Sequence, residues 1–248
     1  MPSQGKLYIV GIGPGCKELM TVKAKKAIES SDYVIGHKRY VDFVRDLVKG
    51  KIIVSGMGKE VERVKLAVEL ARNNIVSLVS GGDPNIYGIA PLVVEYIQSN
   101  NISVDYEVIP GVSALNSASP LLGSPISGDH AVISLSDLLV PWETIEKRLR
   151  KALEGDFVIA IYNPSSKKRK GNLERAMKIV MEYKGDTFVG VVKNACRDGE
   201  EVRIMKCSEV INSDFVDMST IIFVPNSETI IKNGIMLTPR GYSRKYEV

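Results

Sequence analysis

The sequence predicts an α/β protein with two α/β domains, an N-terminal mainly parallel sheet with helices on both faces and a C-terminal mixed sheet. The first apolar run, residues 7–10, is uninterrupted, as in strands that are covered on both faces. Such runs alternate with segments of helical period, which is the rhythm of β-α-β units. Residues 110–125 are rich in Pro, Gly, Ser and Ala and interrupt this rhythm, so we predict domains at 1–116 and 121–248.

The N-terminal half begins with this strand, which ends in a glycine-rich turn. Thr21 is a suitable N-cap for the helix that follows, because apolar residues recur after it at helical spacing. The same patterns predict the remaining elements of this half, namely strands at 33–35, 51–54, 75–80 and 104–109 and helices near 38–48, 59–73 and 85–99.

The C-terminal half restarts with a strand at 131–135. Further strands are predicted at 156–162 and 187–193, with helices near 142–153 and 170–183. Two strand-like stretches, 200–206 and 219–224, then follow with little helix between them. This ending predicts a partly antiparallel sheet.

Composition excludes several classes of protein. Of the 248 residues, 44% are hydrophobic and 25% are charged, so disordered, collagen-like and coiled-coil chains are excluded. The net charge of +4 is too small to indicate nucleic acid by itself, and it suits an anionic small molecule.

Cysteines and apolar runs predict a cytoplasmic protein without a metal. The chain has no CxxC pair among Cys16, Cys196 and Cys207. None of these cysteines, nor His37 or His130, stands at the short spacing typical of a metal site. No signal peptide is evident, and no apolar run reaches the roughly 18 residues that span a bilayer.

The first glycine loop, Gly11-x-Gly13-Pro14-Gly15, differs from a dinucleotide fingerprint. A GxGxxG pattern that starts at Gly11 needs glycine where the chain has Cys16, and Pro14 removes a backbone donor. The loop therefore favours another ligand or a simple tight turn.

Two more loops of this kind follow predicted strands. They are Gly81-Gly82-Asp83-Pro84 and Pro110-Gly111-Val112-Ser113-Ala114. Each alone is typical of an ordinary strand-to-helix turn. Because parallel strands end at the same edge of a sheet, the three together predict a ligand cleft lined by bare backbone.

These three loops, with Met20-Thr21 and Ile86-Tyr87-Gly88, resemble those of the tetrapyrrole methylases. Five further motifs resemble the branch of that family that methylates carbon 17 of precorrin-3B or cobalt-factor III, with ring contraction, in cobalamin biosynthesis. They are residues 56–63, residues 134–142, Tyr162-Asn163-Pro164, the Lys167-Lys168-Arg169 cluster and residues 238–242.

The resemblance implies a homodimer that holds S-adenosylmethionine in the cleft between the two domains. It also implies a tetrapyrrole substrate and no nucleic-acid or membrane partner. The residues that it places at the cofactor are Pro14, Gly82, Asp83, Ile86, Ser113, Ala114, Tyr162, Ala195 and Thr220.

The catalytic residue is not identified by the sequence. Ring contraction needs proton transfer, and the candidates are Asp83, Asp129, His130, Lys59 and Glu60. Gly128 stands where the family pattern has histidine, so His130 either replaces that histidine or simply begins a strand.

The substrate carries many carboxylates, which basic side chains would bind. Lys167, Lys168, Arg169 and Arg240 are the candidates, and a solvated surface is the alternative for each. An RNA or protein methylase on the same scaffold is the competing function. RNA binding is disfavoured because the chain has a single tryptophan, Trp142, and its Tyr and Phe residues are scattered.

Overall fold

The computed structural model describes residues 5–166 and 171–247. The chain divides into two compact units at the bond between Ala114 and Leu115. Each unit contains its own five-stranded sheet.

The first unit is built on a parallel sheet with the strand order β3-β2-β4-β1-β5. Its elements in chain order are β1 (Lys6–Gly11), α1 (Val22–Ser30), β2 (Tyr33–His37), α2 (Lys38–Val44), β3 (Lys51–Ser55), α3 (Glu60–Leu70), β4 (Ile75–Ser80), α4 (Ala90–Ser99) and β5 (Asp105–Ile109).

Successive residues of the central strands enter different cores. Ile9 and Leu78 pack with α3 and α4, whereas the next residues, Val10 and Val79, pack with α1 and α2. A strand alternates its side chains between faces, so a sheet covered on both faces favours apolar residues on both sides of its strands. The predicted parallel sheet with helices on both faces is confirmed.

The second unit contains a mixed sheet with the order β10-β9-β11-β8-β7, in which only β7 and β8 are parallel. The predicted mixed sheet is therefore confirmed. The elements are α5 (Ala114–Leu122), β6 (Gly123–Ser124), β7 (His130–Ser134), α6 (Trp142–Glu154), β8 (Val158–Tyr162), α7 (Gly171–Lys184), β9 (Phe188–Lys193), β10 (Glu201–Lys206), α8 (Cys207–Ile211), β11 (Thr220–Val224), β12 (Ile230–Lys232) and β13 (Ile235–Leu237).

Several elements differ from the prediction. The stretch rich in Pro, Gly, Ser and Ala contains α5, which buries Leu115, Ala118 and Leu122 at helical spacing even though Pro120 lies within it. A small third sheet joins β6 to the β12–β13 hairpin, and α8 lies between β10 and β11. These short elements carry too few residues for a periodic pattern.

Two predicted helices are shorter in the structure. The helix predicted at 38–48 ends at Val44 and continues as a 3₁₀ turn. The helix predicted at 85–99 begins at Ala90, because the Asp83 carboxylate accepts a hydrogen bond from the Asn85 N–H and holds a turn there. Within the described ranges, no helix has both the length and the apolarity needed to cross a membrane.

Candidate functional site

Three glycine loops meet at the carboxyl ends of the neighbouring strands β4, β1 and β5. We call residues 11–15, 81–84 and 110–114 the glycine edge. Gly13 and Gly82 form an antiparallel bridge, in which each backbone N–H donates to the other's carbonyl at 3.2 and 2.7 Å. Gly111 lies so close that a Cβ atom there would be 2.2 Å from the Gly82 carbonyl oxygen. Backbone therefore contacts backbone across all three loops.

Gly82 has an open side. Its φ of +65° is in the left-handed region that favours glycine, and a Cβ atom built there would have Ser113 Cα, at 3.7 Å, as its nearest neighbour. The space next to its Cα is thus a cradle that any side chain at this position would fill.

Asp83 ties the second loop to the third. One carboxylate oxygen accepts from the Asn85 N–H at 2.8 Å and the other from the Gly111 N–H at 3.0 Å. Both oxygens thus have backbone donors within the protein, and the carboxylate orients the loops.

Other predicted cofactor residues lie at this edge. Pro14 and Ser113 are buried and Ala114 is partly exposed, whereas Ile86 follows the turn at Asp83 and is 36% exposed. The first unit therefore brings the predicted residues of its three loops to a single edge of its sheet.

Tyr162 ends β8 in the second unit and supports the start of α5. Its hydroxyl accepts a hydrogen bond from the buried Leu115 N–H at 2.7 Å. The first N–H groups of a helix have no partner within the helix, so the phenol supplies one.

Replacing Tyr162 by phenylalanine should destabilise the second unit. The change removes this acceptor and leaves a buried N–H, which costs about 1–3 kcal/mol of unfolding free energy. Chemical unfolding followed by circular dichroism would measure the loss. An unchanged midpoint would show that the hydrogen bond contributes nothing.

Ala195 lies just after β9, and Thr220 is the first residue of β11. Ala195 is partly exposed, between Asn194 and Cys196, which both have positive φ. The Thr220 hydroxyl donates to Asp217 Oδ1 at 3.3 Å and accepts from the Asp217 N–H at 3.1 Å. Thr220 therefore closes its own turn.

Asp217 is the anionic centre of this turn. Burial acts to raise its pKa, but the Ser219 N–H at 2.7 Å and the Lys193 ammonium at 3.0 Å outweigh burial and hold the pKa below its usual value. The ionised carboxylate is thus favoured in the folded protein.

Replacing Asp217 by asparagine should lower stability in a pH-dependent way. A depressed carboxyl pKa contributes stability above the unfolded value of about 3.9, and the contribution disappears as pH falls through the folded pKa. The difference in melting temperature between wild type and variant should be largest at pH 5–7 and shrink below pH 4. A difference that is constant over this range would refute the assignment.

Comparison with known proteins identifies the family. The family described as "Tetrapyrrole (Corrin/Porphyrin) Methylases" matches residues 6–211. The chain belongs to this tetrapyrrole methylase family. The resemblance inferred from the motifs is therefore confirmed, and members of this family are S-adenosylmethionine-dependent methyltransferases.

The relatives include curated proteins and solved structures. "Cobalamin biosynthesis protein CbiHC" of Archaeoglobus fulgidus is 58% identical over the whole chain, which spans only 55% of that protein. "Probable cobalt-factor III C(17)-methyltransferase" of Methanocaldococcus jannaschii is 45% identical over 98% of the chain and 100% of the relative. The crystal structure of the methyltransferase CobJ is 27% identical, with a TM-score of 0.87 over 95% of this chain and 100% of that one.

Among the candidate catalytic residues of this tetrapyrrole methylase, Asp129 and His130 lie away from Tyr162. His130 begins β7, its ring contacts the Gly128 carbonyl, and both it and Asp129 are exposed. Because β7 runs parallel to β8, this amino end is roughly 13 Å from the edge where Tyr162 lies. The position agrees with the simpler alternative, in which His130 only begins a strand.

Lys59 and Glu60 lie where α3 begins. Lys59 is exposed and pairs with Glu62 at 2.7 Å, and Glu60 accepts a hydrogen bond from the Gly58 N–H at 3.2 Å. These contacts are typical of a solvated helix start.

One of the four candidate substrate residues, Arg240, lies in the described part of the chain. Lys167, Lys168 and Arg169 lie outside the described residues. Arg240 is exposed and follows Thr238, a buried residue whose hydroxyl donates to the Pro125 carbonyl at 2.6 Å. No group of three His, Cys, Asp or Glu side chains in the described ranges is arranged to hold a metal ion.

Arg63 ends the family motif at residues 56–63 but is not among the site residues that the sequence predicts. Arg63 is 7% exposed on the buried face of α3, next to Val64 and one turn before Ala67. Its position in the apolar stripe of a helix, where a cation is unusual, is the feature of the sequence that marks it as a candidate.

Proposed function

We propose that the chain is an S-adenosylmethionine-dependent C-methyltransferase that acts at carbon 17 of cobalt-factor III, with accompanying ring contraction, in cobalamin biosynthesis. The observation that carries the proposal is the Gly13–Gly82 bridge with the open side of Gly82 next to it. Bare backbone at the carboxyl edge of a parallel sheet is where such folds bind ligands.

Residues of the glycine edge would hold the cofactor. Gly82 leaves room for it, Pro14 and Ser113 form the walls, and Asp83 fixes the positions of the loops. The family resemblance adds Tyr162 and Ala195 to the proposed cofactor residues, and Thr220 would be a positioning residue that orders the turn before β11.

When bound, S-adenosylmethionine supplies a methyl group on a sulfonium whose departure leaves a neutral thioether. No residue therefore needs to protonate the leaving group. The task of the chain is to hold the acceptor carbon in line and exclude water, which contributes on the order of 7–11 kcal/mol when the geometry is near-attack. Proton transfer during ring contraction is a separate requirement, and we assign it to no residue.

The substrate is proposed from the relatives. The Methanocaldococcus protein, matched over its full length, is named for cobalt-factor III, and the Archaeoglobus protein for cobalamin biosynthesis. We therefore favour cobalt-factor III over precorrin-3B. The comparisons give no support to an RNA or protein methylase. The family resemblance further supports a homodimer in the cytoplasm, and sedimentation equilibrium would test the dimer.

Anaerobic turnover tests the function. The full chain is incubated with S-adenosylmethionine and either cobalt-factor III or precorrin-3B, and the products are analysed by mass spectrometry. We expect cobalt-factor III to gain one methyl group, with one S-adenosylhomocysteine formed per methyl. Bulk RNA serves as the control acceptor. Methylated RNA together with unchanged tetrapyrrole would replace this proposal with the alternative.

A further inference from the structure

The first unit contains a buried cation next to the glycine edge. Arg63 lies in the first turns of α3, where its Nε donates to Ser55 Oγ at 2.6 Å and its Nη2 to the Gly56 carbonyl at 2.9 Å. The side chain is 7% exposed. Both of these acceptors are neutral.

The positive charge of Arg63 is compensated only at a distance: burial lowers the pKa of the guanidinium, and the Glu60 carboxylate acts in the opposite direction without pairing with it. Among the described residues, no carboxylate lies within 4.0 Å of its guanidinium, and Nη1 makes no hydrogen bond. Nη1 is not a fully buried atom, since every fully buried side-chain nitrogen in the described ranges has a hydrogen-bond partner. The amino end of α3 adds a positive dipole, which disfavours a cation and attracts an anion. Nη1 therefore keeps N–H donors that no acceptor in the described ranges uses.

His37 lies beside this group at the end of the neighbouring strand. It is the register partner of Ser55, the residue that holds Arg63 Nε. His37 Nδ1 accepts the Arg39 N–H at 3.2 Å and caps α2, which leaves Nε2 as a donor. Burial, and then the charge of Arg63, lower the His37 pKa, while Glu60 acts in the opposite direction; the shift favours the neutral ring, which with Nδ1 as acceptor carries its proton on Nε2.

The two donors adjoin the glycine edge. β2 lies between β3 and β4, so the ends that carry Ser55 and His37 continue the edge formed by β4, β1 and β5. Tyr40 connects the two places. Its ring contacts the His37 ring, with centroids 5.8 Å apart, and packs against Gly81 so closely that a Cβ atom on Gly81 would be 2.4 Å from Tyr40 Cε1.

We propose that Arg63 Nη1 and His37 Nε2 form a subsite for one carboxylate arm of the tetrapyrrole substrate. The assignment rests on the proposed function for the identity of the substrate. The unused guanidinium N–H groups suit the oxygens of a carboxylate, and the imidazole Nε2 adds a further donor. The subsite would position the macrocycle next to the cofactor loops.

Two variants of the full chain test the subsite. Arg63→Gln removes the charge. His37→Asn removes the Nε2 donor and keeps an oxygen that can cap α2, since asparagine is a preferred N-cap. Arg72→Gln is the matched control, because Arg72 is exposed beyond the other end of α3 and pairs with Glu69 at 3.4 Å. The probe is uroporphyrin III, a fluorescent octacarboxylate, titrated at equilibrium.

We expect Arg63→Gln to weaken porphyrin binding about 10-fold or more and His37→Asn about 3-fold or more, with Arg72→Gln unchanged. S-adenosylhomocysteine affinity should stay at the wild-type value in all three. If Arg63→Gln fails to fold, His37→Asn decides alone. Porphyrin affinities equal to wild type, including binding by none of the proteins, would overturn the subsite.

The proposed function is judged separately. Wild-type protein that binds the porphyrin through Arg63 but transfers no methyl group would retain the subsite and refute the methyltransferase. Wild-type protein that turns over cobalt-factor III with the same Michaelis constant in all variants would retain the enzyme and refute the subsite.

Discussion

Gly111→Ala should weaken the binding of S-adenosylhomocysteine about 100-fold and lower the melting temperature of the protein. An added Cβ atom would lie 2.2 Å from the Gly82 carbonyl oxygen and 2.8 Å from the Gly11 carbonyl oxygen. Both are backbone atoms, so the loops themselves must separate. Since the glycine edge is held by backbone contacts, the change should distort all three loops.

The matched control is Gly171→Ala. Gly171 begins α7, and a Cβ atom there meets nothing within 4 Å. This variant should keep the wild-type affinity by calorimetry and the wild-type melting temperature or a slightly higher one. Full affinity in Gly111→Ala would show that the contact between these loops does not shape the cofactor site.

Asp83→Asn should weaken the binding of S-adenosylhomocysteine about 10- to 100-fold. This is the loss expected when a buried or partly buried hydrogen bond is replaced by a contact between two donors. The asparagine oxygen can serve either the Asn85 N–H or the Gly111 N–H, but its amide nitrogen must then face the other donor. Either the turn at Asn85 or the connection to the third loop would lose its acceptor, although the side chain keeps its size.

Asp105→Asn is the corresponding control for charge. Asp105 begins β5 at the opposite edge of the same sheet, where it is exposed and pairs with Lys6 at 3.6 Å. Calorimetry should find the same affinity as wild type in this variant. If Asp83→Asn also binds normally while it remains folded, Asp83 has no part in the ordering of the site.

Much of the fold could be predicted because its signals are local. The run at residues 7–10 is uninterrupted and the run at 75–80 is interrupted only by Ser77 before its final Ser80, a pattern typical of strands covered on both faces. The helix α5 was missed because its Ser, Ala and Pro composition resembles a linker, and its buried stripe depends on packing partners that are distant in sequence. The strand β6 pairs with β13 more than a hundred residues later, which no local pattern reveals.

The loops that form the site could be predicted from the sequence, but the contacts between these loops could not. Glycines that follow strands indicated the edge, yet the partners of Asp83 and the bridge from Gly13 to Gly82 depend on the strand order. The sequence also could not distinguish Thr220 as a cofactor contact from Thr220 as a turn-closing residue, because both uses need the same buried hydroxyl. Arg63 lies in a motif that the sequence shows, but its importance became evident only from its burial in the folded chain.

A calorimetric titration of S-adenosylhomocysteine into the full wild-type chain tests the central claim most directly. The claim is that the glycine edge, with the open side of Gly82, is a cofactor site. We expect one site per chain, and the same titration of Gly82→Val should show that site lost, because the valine side chain fills the cradle. A folded wild-type protein that binds no S-adenosylhomocysteine but binds a nicotinamide dinucleotide would contradict the account.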